Sequence, residues 1–193
     1  MSSVVADRSR ERPAVAWPIL LLGIGVLLLR LHVLSLPDGD RVAALALIYV
    51  ALLTGSLLIP LARGERAGWR RSVVVLAVGV AGVAAASRAA GRPVAIPFGP
   101  WVLPLSILAA IAEEAFFRRV AYRVVERRAG ALAAVVVTAA VFAAIHVPLY
   151  GLAAFPVDLG AGVLLGWQRY ETGGWTVPAA THAAANLIAV ISR

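Results

Sequence analysis

Cysteine is absent from the chain, which excludes a disulfide framework, a thiol nucleophile and any thiolate metal site. Lysine is absent too: all 18 basic residues are arginine, set against 10 acidic ones, for a formal net charge of +8. Such an excess can serve nucleic-acid binding. Here the arginines sit in short breaks between apolar runs, where the positive-inside rule accounts for them, and no nucleic-acid partner is expected. Charged residues make up only 15% of the chain and hydrophobic ones 61%, with a mean hydropathy of +0.88. Ordinary globular domains are roughly 45–50% apolar. A soluble core of 193 residues cannot hide the difference. No internal repeat, low-complexity tail or HExxH motif is present, and the loops are short, so any chemistry must take place within a helical bundle.

The expected fold is all-α, a polytopic transmembrane bundle of about seven spans. These fall at 14–36, 42–61, 72–90, 101–125, 131–148, 150–168 and 175–191. The third is interrupted by Ser87-Arg88, and the sixth carries Pro156 and Asp158. The start of the chain (Arg8, Arg10, Arg12, then Trp17 to Leu29) resembles a signal peptide, yet the run ends Arg30-Leu31-His32-Val33 without a small-x-small cleavage site. It is expected to stay as the first span. The N-terminal tail, the 62–71 loop, the 118–130 segment and Arg169 share one side of the membrane. The opposite side carries the acidic turn Pro37-Asp38-Gly39-Asp40. The arginine-rich side should be cytoplasmic, which puts the N-terminus inside. Residues 1–13 are then a cytoplasmic tail, 14–99 the N-terminal transmembrane helices, and 100–193 the core that carries the chemistry. Arginine-only, alanine-rich usage suggests a GC-rich bacterial coding sequence, hence a cell inner membrane.

Within the apolar run Val102 to Val125 lie Glu113-Glu114 and, one helical turn on, Arg118. A charged residue at a bilayer centre costs roughly 2.5–3.5 kcal/mol on insertion scales, so the trio costs roughly 8–10 kcal/mol if deep and charged. Plain helix packing requires no such outlay, and an intramembrane cluster of this kind points to function. Residues i and i+4 share a helical stripe, whereas neighbours point about 100° apart. Glu114 is therefore expected to pair with Arg118, leaving Glu113 unpaired and free to act as a general base. The competing reading, ordinary interfacial charges beside Arg119 and Arg123, stays open at this point.

Thr138, Phe142 and His146 form a stripe near the end of the fifth span, and His182 and Asn186 share one in the last. Alone, such a histidine is an ordinary satisfied core residue, and a His/Asn pair on an alanine stripe is ordinary interhelical glue. Together with Glu113 they supply the parts for water-driven amide hydrolysis: a base, two imidazoles and a carboxamide that can donate to an oxyanion. Counted at 1.5 Å per residue, Glu113 and His182 fall in one layer, while His146 comes out several ångströms too far outward. Arg30 and His32 fall at the outer end of the first span, where snorkelling accounts for them. Asp158 is expected to cap a broken helix after Pro156 or to contact an arginine.

Glu113-Glu114-Ala-Phe-Phe-Arg118, Phe142-Ala-Ala-Ile-His146 and His182-Ala-Ala-Ala-Asn186 resemble the EExxxR, FxxxH and HxxxN motifs of the CAAX protease and bacteriocin-processing family. That family, also called Abi, includes the Ras-converting CAAX endopeptidases. The motifs occur in the family's order, and the resemblance covers about 100–190. It implies an intramembrane endopeptidase of the glutamic type, cutting near the C-terminus or within a membrane-embedded segment of a protein or peptide. By the same resemblance Glu113 activates water with His146, His182 and Asn186 stabilise the oxyanion, and Glu114, Arg118 and Phe142 support the site. No cofactor is expected. The rival within the enzyme class is a zinc protease with Glu113, His146 and His182 as ligands. Outside it stand a bacteriocin-immunity scaffold and a proton-coupled transporter, the latter disfavoured by the lack of an inverted repeat. The expected partners are a membrane-associated protein or peptide substrate and the lipid bilayer.

Overall fold

The computed structural model describes residues 16–61, 66–89 and 99–191, so the N-terminal tail and its arginines lie outside the described residues. The elements are α1 (Ala16–Leu28), α2 (Arg30–Val33), α3 (Asp38–Leu58), α4 (Trp69–Ala89), α5 (Val102–Glu114), a π-helical segment (Ala115–Ala121), α6 (Tyr122–Tyr150), a 3-10 turn (Leu152–Ala154), α7 (Phe155–Thr172) and α8 (Thr176–Ile191). No strand occurs among the described residues, as the long aliphatic runs lead one to expect.

Polarity runs inside out. Leu132 is 79% and Leu58 76% exposed, while Glu114, Arg118 and Gln168 are fully buried. In water such exposed leucines would form adhesive patches; in lipid they face the solvent they match. This is a membrane protein. Its apolar core joins Leu20 and Leu27 of α1, Tyr49 and Leu52 of α3, Phe116, Phe117 and Val120 of the π segment, and Phe142 and Ile145 of α6. The helix α5 lies between α3 and α8, and α7 packs along α6.

Three helical stretches are long and apolar enough to cross a bilayer: Asp38–Leu58, Trp69–Arg88 and Val102–Tyr150. Two shorter apolar helices, Trp17–Val33 and Thr176–Ile191, accompany them. The 49-residue stretch is not one rod, because Gly130 inside it has φ 85° and ψ 170°. A residue with a side chain rarely adopts that conformation, so this glycine reverses the chain at the arginine-rich break between the expected fourth and fifth spans. The sixth element departs from expectation. The Gly151 turn and the 3-10 segment occupy its proposed start, and α7 begins only at Phe155.

Candidate active site

Glu113 and Glu114 close α5, where the chain passes into the π-helical segment. There the N–H of Tyr122 bonds the carbonyl of Phe117, five residues back. Such widened turns loosen the backbone ladder and recur at functional sites. The loosened turn is held from outside, since Arg169 Nε of α7 donates to the Arg118 carbonyl at 2.9 Å.

The two carboxylates diverge as neighbours on a helix must. Glu114 turns toward Arg118 and α8: its Oε2 lies 3.2 Å from Arg118 Nε, and its Oε1 accepts from His182 Nδ1 at 3.1 Å. The Arg118 contact is an ion pair by distance, but its N–H is not aligned for a hydrogen bond. Among the described residues the one hydrogen bond of the Arg118 guanidinium runs from Nη2 to the Gly162 carbonyl, 3.0 Å away on α7. The Phe142 ring lies 5.1 Å below the same guanidinium.

Glu113 turns the other way and is not unpaired. Its Oε1 accepts from Arg30 Nη1 at 2.5 Å, and both side chains are buried. This overturns two expectations at once, the free carboxylate and the snorkelling Arg30, which is only 4% exposed. The reason lies in where α1 and α2 pack. Arg30 faces inward against α3 and α5, Nε bonds the Leu27 carbonyl at 2.9 Å, and the Tyr49 side chain of α3 stands beside the guanidinium. A carboxylate is then a nearer partner than the headgroup layer. The sequence signal was an arginine flanked by leucines inside the first apolar run.

Opposite, His146 Nε2 stands 3.8 Å from Glu113 Oε2. Its Nδ1 lies 2.7 Å from the Phe142 carbonyl. A carbonyl only accepts, so Nδ1 carries a proton, and in the neutral form of the ring Nε2 is an acceptor turned toward a second acceptor. The bond to the residue one turn back also removes the depth mismatch. A helical side chain leans toward its own N-terminus, and His146 folds back along α6 to the level of Glu113. Phe142 separates the two imidazoles, its ring 4.5 Å from that of His146 and 5.7 Å from that of His182. Tyr150, one turn past His146 on the same stripe, stacks on it at 5.7 Å and was missed as a site neighbour.

The α8 pair is divided. His182 is held by Glu114, whereas Asn186 Nδ2 donates to the Ser106 carbonyl at 2.8 Å, about two turns before Glu113 on α5. Glu113, Glu114, Arg118, Phe142, His146 and His182 therefore form one connected cluster, with Asn186 at its edge on another anchor.

Asp158 lies in the first turn of α7 without a side-chain capping bond. Gly162 packs on Ala139 and Gly166 on Val135, so α6 and α7 run antiparallel and Asp158 comes level with Ala143, between Phe142 and His146. Its Oδ2 is buried without a hydrogen-bond partner among the described residues, within electrostatic range of His146, Glu113 and His182. It belongs to the site's electrostatics, not to an arginine contact or a cap.

Among the described residues no three His, Asp or Glu side chains converge on a point that would hold a metal ion. One oxygen of Glu113 faces a guanidinium, and the Nδ1 of His182 is engaged with Glu114.

Residues 95–188 match the family model for type II CAAX prenyl endopeptidase Rce1-like proteins. Neither a curated protein nor a solved structure matches the chain.

Proposed function

Residues 95–188 make this chain a member of the Rce1-like type II CAAX prenyl endopeptidase family, and from that premise we propose a metal-free glutamic endopeptidase acting within the membrane. The observation that carries the mechanism is the gap of 3.8 Å between Glu113 Oε2 and His146 Nε2. It is too wide for a direct hydrogen bond, joins two acceptors, and has the width that one water bridges by donating to both. As that water attacks the scissile carbonyl, its proton passes to Glu113 Oε2. The C–N bond then breaks, and the same proton is returned to the leaving amine.

The developing oxyanion needs donors, each typically worth about 2.7–4 kcal/mol. His182 would supply one through Nε2, with Glu114 balancing the charge of the doubly protonated ring. Asn186 would supply the other by exchanging the Ser106 carbonyl for the substrate oxygen. Arg118 and Phe142 hold the wall between the two imidazoles. The guanidinium against Glu113 favours this scheme over a zinc site, because a cation already occupies one face of the carboxylate. We place the reaction in the 100–193 core of a bundle of about seven crossings in the cell inner membrane, with the N-terminus cytoplasmic. The substrate would be a membrane-associated protein or peptide cut near its C-terminus.

The test is cleavage of a fluorogenic C-terminal reporter, with and without a prenyl-cysteine, by purified full-length protein. Glu113→Gln should abolish turnover per folded molecule, while the loss of the counter-charge to Arg30 lowers its stability. Full activity in that variant would refute the mechanism.

A further inference from the structure

We infer that Arg30, contributed by a helix outside the matched residues 95–188, is the positioning residue for the base. It clamps one oxygen of Glu113 so that the other faces His146. The inference rests on the reading of Glu113 as general base and extends the working unit to the N-terminal helices.

The geometry is asymmetric in the way such a role requires. Arg30 Nη1 takes Oε1 at 2.5 Å, and Oε2 is left toward His146 Nε2 at 3.8 Å. A glutamate carboxylate with nothing on Oε1 rotates about its last torsion, and its second oxygen loses any fixed place. The clamp is itself clamped. Arg30 Nε bonds the Leu27 carbonyl at 2.9 Å, which fixes the guanidinium plane, and Tyr49 lines its flank. The cation also supplies the counter-charge an ionised carboxylate needs in an apolar bundle.

Burial of the pair is not explained by stability alone, since a buried ion pair replaced by apolar residues of similar volume often leaves a fold equally stable. Nor does the rest of the site supply this function. Arg118 serves Glu114 on the opposite face, and His146 engages Glu113 only across the wider gap. Arg30 is thus the single cation in hydrogen-bonding contact with Glu113 among the described residues.

Full-length protein in detergent or nanodiscs carrying Arg30→Gln, Arg30→Lys or Glu113→Gln separates the possibilities, with kcat, KM and thermal unfolding read for each. Arg30→Gln should lower kcat about 100-fold, the effect of misplacing a reacting group by about 1 Å, with KM little changed. Arg30→Lys, which keeps the charge but loses the fork, should fall between the two, about tenfold below the parent. A merely structural arginine would lower the unfolding temperature and leave kcat per folded molecule intact. Folded Arg30→Gln with parental kcat, while Glu113→Gln is dead, overturns the inference and leaves the base assignment standing. An active Glu113→Gln overturns the base assignment itself. Should Arg30→Gln fail to fold, Arg30→Lys decides: a reduced kcat at unchanged unfolding temperature supports positioning, and a parental kcat refutes it.

Discussion

Replacing Gly162 by alanine tests the helix contact that sets where His146 stands. A Cβ there would lie 2.8 Å from the Ala139 Cα, 3.0 Å from its Cβ and 3.1 Å from its carbonyl oxygen. Ordinary contact begins at 3.4 Å, so α6 and α7 must part by the 0.6 Å between 2.8 and 3.4 Å. Two of the three opposing atoms are backbone and cannot rotate away. The bond from Arg118 Nη2 to the Gly162 carbonyl, now 3.0 Å, then stretches toward 3.6 Å, and the guanidinium loses its hydrogen bond. Overpacking costs about 1–3 kcal/mol and the lost charged hydrogen bond about 1.5–3 kcal/mol, with alanine's better helix propensity returning up to about 1 kcal/mol. The net expectation is a destabilisation of about 1.5–6 kcal/mol. Unfolding in mixed micelles, followed by tryptophan fluorescence, measures it. Matched controls lie on the same helix: a Cβ at Gly160 meets nothing within 4 Å, and one at Gly166 meets Val135 Cγ1 at 3.0 Å and the Val135 Cα at 3.3 Å, a milder approach than at Gly162. The expected order of damage is Gly162, then Gly166, then Gly160. Gly162→Ala as stable as Gly160→Ala would refute the close approach and the account of how α6 is placed.

Three further outcomes are expected. Glu114→Gln leaves Arg118 without its counter-charge in a fully buried site and should cost about 3–5 kcal/mol, seen as lost yield or a lower unfolding temperature; a Glu114→Gln variant that unfolds at the parental temperature would contradict the pairing. Purified protein should keep its activity after chelation, and elemental analysis should find no stoichiometric zinc; turnover restored only by added metal would turn the site residues into ligands. Asn186→Ala should lower kcat about 100- to 1,000-fold if its amide leaves Ser106 for the oxyanion, and leave kcat unchanged if it only ties α8 to α5.

Some of the site was readable because it is local. The Glu114–Arg118 pairing, the divergence of Glu113 from Glu114 and the shared stripe of Phe142 and His146 each lie along one continuous helical run. There the backbone period alone fixes which side chains meet. The interruption at Gly130 was legible for the same reason, as an arginine-rich break before a new apolar run. The expected start of the sixth element failed, because hydropathy does not register the irregular turn from Gly151 to Ala154.

What joins different helices was not readable. Arg30 and Glu113 are 83 residues apart, and Asn186 and Ser106 are 80. In water an apolar stripe tells which face of a helix turns inward. In lipid every aliphatic face is solvated equally well, so hydrophobicity does not set how each helix rotates or at what depth it docks. Small-residue contacts such as Gly162 on Ala139, and the need of each buried charge for a partner, settle that instead. The sequence by itself determined the helical character, the membrane setting and which polar side chains stand inside the apolar runs. Only the tertiary structure decided that Glu113 shares its carboxylate with Arg30 of α2, because that pairing depends on helix rotation and depth, which no local period encodes.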